Sequence, residues 1–139
     1  MDGYVINQDA GHAFSLRPDG TATISTDTNV TATINAPFTG SGSLIFGGPG
    51  TVVLTGASSL GGDLTVNGGT VKITSGGTVQ SAMANIARDA GSQATVTVDG
   101  AGSAWTITGF NGFLTGQSGL PSGSAAINVL NGGKLSAPI

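Results

Sequence analysis

Residues 63–77 read DLTVNGGTVKITSGG, and this stretch decides the fold. Two short runs in which apolar residues alternate with polar ones are each followed by a step ending in Gly-Gly. Alternation over so few residues predicts half-buried strands, and glycine supplies the positive φ angles that tight turns need. The phrase returns as AINVLNGG at residues 126–133, which indicates a repeating unit.

Similar alternating segments recur at short intervals from Thr21 onward, separated by glycine-rich steps. Recurrence of this kind predicts one unit stacked on itself, a solenoid whose neighbouring coils bury each other's apolar faces. We predict an all-β fragment of a right-handed parallel β-helix, with roughly six coils of about 20 to 30 residues spaced about 4.8 Å apart. A Greek-key sandwich with glycine-rich turns is the alternative architecture.

The alternation also predicts which side chains face the core and how the chain is divided. Inward positions are expected at Leu44, Val53, Leu64, Val66, Val71, Ile73, Val96, Val98, Ile107, Ile127 and Val129. Residues 79–89 lack glycine, and their apolar positions could form one face of a short helix, but strand and loop are favoured because every neighbour is a strand. We expect residues 1–20 to form an irregular entry segment or first coil. Residues 21–139 form the solenoid, with a first repeat type over 21–78 and a second over 79–139.

Composition excludes several classes of protein. The 139-residue chain has 25 glycines, where average usage would give roughly ten. Hydrophobic residues reach 38%, which argues against disorder. With four cations and a net charge of −3, no basic stripe is available for nucleic acid. Cysteine is absent, so disulfides and thiolate metal sites are excluded, and no apolar run reaches the roughly 18 residues of a transmembrane helix.

Two phrases in this sequence resemble known repeats. GSGSL at residues 40–44, GTVVLTGA at 50–57 and GGDLTVNGGTV at 61–71 resemble the β-strand repeat of bacterial autotransporter passenger domains. DGAGSAWT at residues 99–106, continuing through 116–135, is similar to a companion repeat of the same proteins. The resemblance covers about two-thirds of the chain.

The resemblance implies a right-handed β-helix exported by type V secretion. The chain is then expected to be a fragment of an adhesin passenger, released or anchored to the outer membrane through a C-terminal barrel that it lacks. The implied function is a non-catalytic stalk on the bacterial surface that supports attachment or cell-to-cell aggregation. Its expected partners are host surface or matrix molecules, or further copies of itself. The alternative is a carbohydrate-active β-helix enzyme or its non-catalytic scaffold.

The titratable residues offer little for the enzyme alternative. Glycoside hydrolysis usually needs two carboxylates about 5 to 10 Å apart across one groove, and the chain has aspartates but no glutamate. Asp63 and Asp99 occupy ordinary turn positions, and Arg88-Asp89 is most simply a solvated pair. His12, the sole histidine, lies in the irregular entry segment. We therefore predict no catalytic residue, no metal site and no cofactor.

Pairs of threonines suggest one further hypothesis, a ladder of hydroxyl groups of the kind that ice-binding solenoids display. The pairs are Thr21/Thr23, Thr31/Thr33, Thr95/Thr97 and Thr106/Thr108. The pairs recur irregularly, and threonine is an ordinary outward-facing residue of strands, so ice binding is not the favoured hypothesis.

Aromatic residues concentrate in one part of a chain that is only 5% aromatic. The candidate interaction loop, residues 109–123 with the strand before it, contains Trp105, Phe110, Phe113, Leu120 and Pro121. Aromatic groups held on a loop can anchor a protein partner. The alternative interpretation, in which these side chains fold back over the core and bind no partner, is favoured because isolated phenylalanines are usually buried.

Overall fold

Three parallel sheets wrap around one hydrophobic core. The structure is a computed structural model that describes residues 4–7, 15–116 and 123–138. Within these ranges the chain contains strands and turns but no helix. Every strand pair is parallel, and each sheet is built from strands contributed by successive coils. The predicted all-β parallel β-helix is therefore confirmed.

The sixteen strands of the described residues divide among the three sheets. The first sheet contains β1 (Tyr4–Ile6), β3 (Thr31–Ile34), β6 (Thr51–Leu54), β9 (Gly69–Ile73), β12 (Gln93–Asp99) and β15 (Ser124–Leu130). The second sheet contains β4 (Thr39–Gly40), β7 (Ala57–Leu60), β10 (Thr78–Ser81), β13 (Ala104–Ile107) and β16 (Lys134–Ser136). The third sheet contains β2 (Thr21–Ser25), β5 (Ser43–Gly47), β8 (Leu64–Val66), β11 (Ala84–Ile86) and β14 (Phe113–Thr115).

From β3 onward the chain visits the first, second and third sheets in that order. The length of a coil can be read from the register within the first sheet, where Thr51 lies beside Thr70, nineteen residues later, and Thr70 beside Thr95. Thr95 in turn lies beside Ala126, thirty-one residues later. Between Thr70 and Thr95 the added residues enter the turns, chiefly residues 87–92, and the core strands continue to pair from coil to coil.

The core consists of rows of inward side chains that stack from coil to coil. One row in the third sheet runs from Leu44 through Leu64 to Ala84 and Phe113. A row in the first sheet joins Val52, Val71 and Val96, all at most 2% exposed. Because each coil covers the apolar face of the next, the hydrophobic stabilisation is spread along the axis instead of concentrating in one centre.

One of the expected inward positions faces outward in the structure, and another lies in an inward row but is partly exposed. Val53 faces outward and is half-buried, in register with Lys72, while its neighbours Val52 and Leu54 are buried. The prediction for Val53 was wrong because two adjacent valines leave the phase of alternation undecided. Val129 does lie in an inward row, beside the buried Val98, but is 45% exposed because no described strand covers β15.

Residues 79–89 form strand and turn, as favoured from the sequence. Val79 belongs to β10, and β11 follows with all three of its residues buried. The helical alternative fails because the coil needs strands from this stretch in two different sheets. Ala87, which ends the buried run, has a positive φ of 51°, a conformation that turns the chain toward the first sheet.

Candidate functional site

The aromatic cluster predicted from the sequence is divided between the core and the surface. Trp105 lies on β13 and is fully buried, and its indole Nε1 donates a hydrogen bond to Ser81 Oγ at 3.0 Å. Phe113 packs against the core from β14, with its ring centroid 6.0 Å from that of Trp105. Phe110, which lies between them in sequence, is 93% exposed.

A hydrogen-bonded turn holds Phe110 in its exposed position. Gly109 N donates to Ala82 O of the preceding coil at 2.8 Å, and Gly112 N donates to Gly109 O at 3.0 Å. Phe110 is thus the second residue of a closed four-residue turn, with strands on both sides. An exposed aromatic ring on a fixed turn is a suitable anchor for a protein partner.

The remaining members of the candidate loop, Leu120 and Pro121, lie outside the described residues, and so does His12. Residues 117–122 separate β14 from β15, so the described part of the candidate site consists of the turn that carries Phe110 and the strand that carries Phe113.

A second feature, the corner groove, was not predicted from the sequence. It lies where the chain passes from the third sheet to the first, and it has a volume of about 570 Å³. Residues 48–49 and 67–69, from two short turns, line what we call its floor, and Gly91 of the longer turn 87–92 also lines it. The lining comes from four successive coils, so the groove runs along the axis of the solenoid.

Glycine allows the turns of the floor to approach each other closely. Gly69 has a φ of +64°, and a Cβ on it would collide with the carbonyl oxygen of Gly50 in the preceding coil. A Cβ on Gly68 would lie 2.8 Å from Gly48 O. A side chain at either position would push the two coils apart, because it would meet the backbone of the preceding coil.

One wall of the corner groove is fixed by the side chain of Asn67. Its Oδ1 accepts a hydrogen bond from Arg88 N at 3.2 Å, and its Nδ2 donates to Asp89 Oδ2 at 2.8 Å. Because both ends of the amide are engaged with the next coil, the turn after β8 and the turn after β11 are held together.

The open side of the groove presents uncharged polar groups. Gln93 lies beside Ser124, and Thr70 lies beside Thr95, in each case on adjacent strands of the first sheet. Gln93 and Thr95 are two residues apart on β12 and therefore point to the same face. These four side chains form a small grid of hydroxyl and amide groups.

Threonine forms a ladder on the first sheet, although not the paired one considered from the sequence. Thr31, Thr51, Thr70 and Thr95 lie side by side on four adjacent strands. The next outward row contains Val53 and Lys72 between Thr33 and Thr97. Only one row consists of threonines, and the row next to it contains a valine and a charged lysine. The first sheet therefore lacks the flat plane of hydroxyl groups that the ice-binding hypothesis requires.

Three aspartates pair with asparagines of a neighbouring coil. Asp89 accepts a hydrogen bond from Asn67, and Asp99 accepts one from Asn131 Nδ2 at 2.7 Å. Asp63 accepts a long one from Asn85 Nδ2 at 3.4 Å, and Arg88 Nη1 donates to the Oδ1 of the same asparagine. Within the described ranges no three His, Cys, Asp or Glu residues lie together as a metal site would require. These pairs connect coils at the turns.

Neither the corner groove nor the asparagine–aspartate pairs could be read directly from the sequence. Their partners are separated by more than twenty residues, and they meet only once the register of the coils is known. The one available signal is the change in turn length, from Asn67-Gly68 before β9 to residues 87–92 before β12.

Comparison with family models, with curated proteins and with solved structures found no match for this chain. A search of the described residues for helices of membrane-spanning length and apolarity also found none.

Proposed function

We propose that this chain is a non-catalytic segment of a surface-exposed autotransporter adhesin passenger, a β-helical stalk that supports attachment or cell-to-cell aggregation. In this proposal the protein works at the bacterial cell surface or after secretion. Its partners are host surface or matrix molecules, or other copies of itself.

The observation that carries the proposal is the continuity of the solenoid. Parallel pairing runs without a break through six strands of the first sheet, and buried residues from Ile34 to Ile107 form one cluster. A structure in which each coil contacts only its neighbours extends in one dimension, as a stalk must. The repeats quoted from residues 40–71 supply the resemblance to passenger domains.

The chemistry of the surface supports a role in contact more than in catalysis. The carboxylates of Asp63, Asp89 and Asp99 each accept a hydrogen bond from an asparagine of a neighbouring coil, which is a structural use of an acidic residue. Phe110 supplies an exposed aromatic group on a fixed turn. Recognition by such a protein belongs to its turns, which vary without disturbing the stacked strands.

Surface display tests the proposal. The 139-residue chain would be fused to a generic type V translocator domain and displayed on a bacterium that neither aggregates nor adheres by itself. We expect faster settling of the cells or increased binding to cultured host cells and matrix-coated surfaces. The matched control displays the same chain with Phe38→Asp, which places a charge in the buried core and abolishes the fold.

Unchanged settling and unchanged binding by cells that carry the folded chain would contradict the proposal. Hydrolysis or elimination on a polysaccharide panel, abolished by Asp63→Asn or Asp99→Asn, would instead favour the enzyme alternative.

A further inference from the structure

We propose that the corner groove binds an extended, uncharged oligosaccharide, laid along the axis of the solenoid. This inference deepens the proposed function and rests on it, since it names a ligand class for a segment whose role is attachment. It starts from the shape of the groove, which crosses four successive coils and is therefore about 14 Å long, at about 4.8 Å for each of three intervals.

The lining of the groove disfavours acidic ligands. No residue that lines it within the described ranges is charged, and Lys72, in the next outward row, is outside the lining. A phosphate, sulfate or uronic acid chain would lose water without gaining a cation from the lining, and that loss costs several kcal/mol per buried ion.

The position of the groove argues against a peptide. Peptides that bind to sheets usually add a strand to an exposed edge and exchange main-chain hydrogen bonds. Here β9 and β12, which supply most of the strand residues of the lining, are paired on both sides, and among the described strands of the groove only β15, at one end, has an unpaired edge. The lining also lacks a large apolar side chain, with Pro49, Ala94 and Ala126 as its most apolar members, so a lipid or an apolar helix would find no pocket.

What the groove does offer is a grid of hydrogen-bonding groups at the spacing of the coils. Thr70 and Thr95 lie one coil apart, as do Gln93 and Ser124. Hydroxyl and amide groups both donate and accept, as the hydroxyl groups of a neutral sugar do. The interval of about 4.8 Å between coils is close to the length of one hexose in an extended β-1,4-linked chain, so two successive sugars can meet the hydroxyl groups of Thr70 and Thr95.

The glycine floor and the fixed wall make the grid rigid. Gly68 and Gly69 allow the turns beneath the grid to stack closely, and the two hydrogen bonds of Asn67 hold the wall in place. Ligand binding to a preformed groove avoids the cost of ordering it.

Titration of the purified 139-residue chain tests this inference. Cellohexaose and chitohexaose would be added up to millimolar concentration while amide chemical shifts are followed by NMR. We expect saturable shifts with at least one of them, confined to residues 67–70, 91–95 and 124–126. Gln93→Ala/Thr95→Ala should weaken binding by about tenfold, the equivalent of two hydrogen bonds at about 0.7 kcal/mol each.

A matched control lies on the second sheet. Gln80 and Thr106 are adjacent outward residues of the same two types, on a face outside the groove. Gln80→Ala/Thr106→Ala should leave binding unchanged. A hexasaccharide of hyaluronan, which carries carboxylates, should bind more weakly than the neutral chains.

The inference is overturned if neither neutral hexasaccharide gives saturable shifts, if the shifts fall elsewhere, if both double variants lose binding equally, or if hyaluronan binds best. Because titration uses the purified chain and surface display uses cells, the two proposals fail separately. Adhesion without oligosaccharide binding would contradict only this inference, whereas oligosaccharide binding without adhesion would contradict only the proposed stalk function.

Discussion

Trp105 and Ser81, which lie on adjacent coils, are joined by a hydrogen bond from indole Nε1 to Oγ at 3.0 Å, and both side chains are fully buried. The pair shows how this narrow core accommodates a large amphipathic residue, since the preceding coil supplies a small hydroxyl where the indole needs an acceptor. Phe113 packs beside the indole and completes the cluster.

Loss of the Ser81 hydroxyl should destabilise the chain. Ser81→Ala leaves the indole N–H of Trp105 buried without a partner, so we expect the free energy of unfolding to fall by about 1 to 3 kcal/mol. Urea denaturation followed by tryptophan fluorescence measures it. Ser59→Ala, at an exposed position of β7, is the control and should change stability by less than about 0.5 kcal/mol. Equal effects at the two positions would contradict the hydrogen bond.

Two isosteric substitutions test which face of β6 is directed toward the core. Val52→Thr buries a hydroxyl in the core, which costs about 1 to 3 kcal/mol, whereas Val53→Thr places it on the outward face at little cost. Thermal or urea unfolding of both variants checks the difference. A larger loss for Val53→Thr would show that the strand faces the other way.

Alanine substitution at two glycines with positive φ distinguishes the cost of backbone strain from the cost of steric crowding. Gly69→Ala must adopt φ near +64° and also collides with Gly50 O, whereas Gly76→Ala, at φ +79°, meets nothing within 4 Å. We expect a cost of about 1 to 2 kcal/mol at Gly76 and a clearly larger one at Gly69. Comparable melting temperatures for the two variants would argue against close stacking of the turns at the corner groove.

Separate substitution of the two phenylalanines should divide binding from stability. Phe113→Ser removes packing against Trp105 and should lower the free energy of unfolding by about 1 to 3 kcal/mol. Phe110→Ser should leave the melting temperature unchanged, because that ring is 93% exposed. If the turn is a contact site, Phe110→Ser also reduces adhesion of displayed cells. A marked loss of stability in Phe110→Ser would mean that this ring is part of the core.

The sequence contained enough information for the strands and for the class of fold. Glycine steps such as Asn67-Gly68-Gly69 end one strand and begin the next, and alternation in stretches such as 93–99 determines the buried face. The prediction for Val53 was wrong because its neighbour is also valine, so the pattern of alternation is satisfied whichever of the two valines faces the core.

Features that depend on stacking were beyond the sequence. The exposure of Phe110 and the partial burial of Phe113 follow from a turn closed between Gly109 and Gly112 and anchored to Ala82 of the preceding coil. The corner groove depends on the relative lengths of turns that are about twenty residues apart. Such relations require the register between coils, which local alternation does not determine.

The register between coils is the central claim, because the core, the corner groove and the stalk all depend on it, and the absence of native cysteine allows a direct test. Thr70→Cys/Thr95→Cys joins outward neighbours on β9 and β12, within the Cα separation of about 4.4 to 6.8 Å that a disulfide needs. Air oxidation should crosslink this variant in high yield within the monomer. Thr70→Cys/Thr97→Cys, whose positions are diagonal and more than about 7 Å apart, should crosslink poorly. Failure of the first pair, or equal yields from both, would contradict the stacked parallel coils.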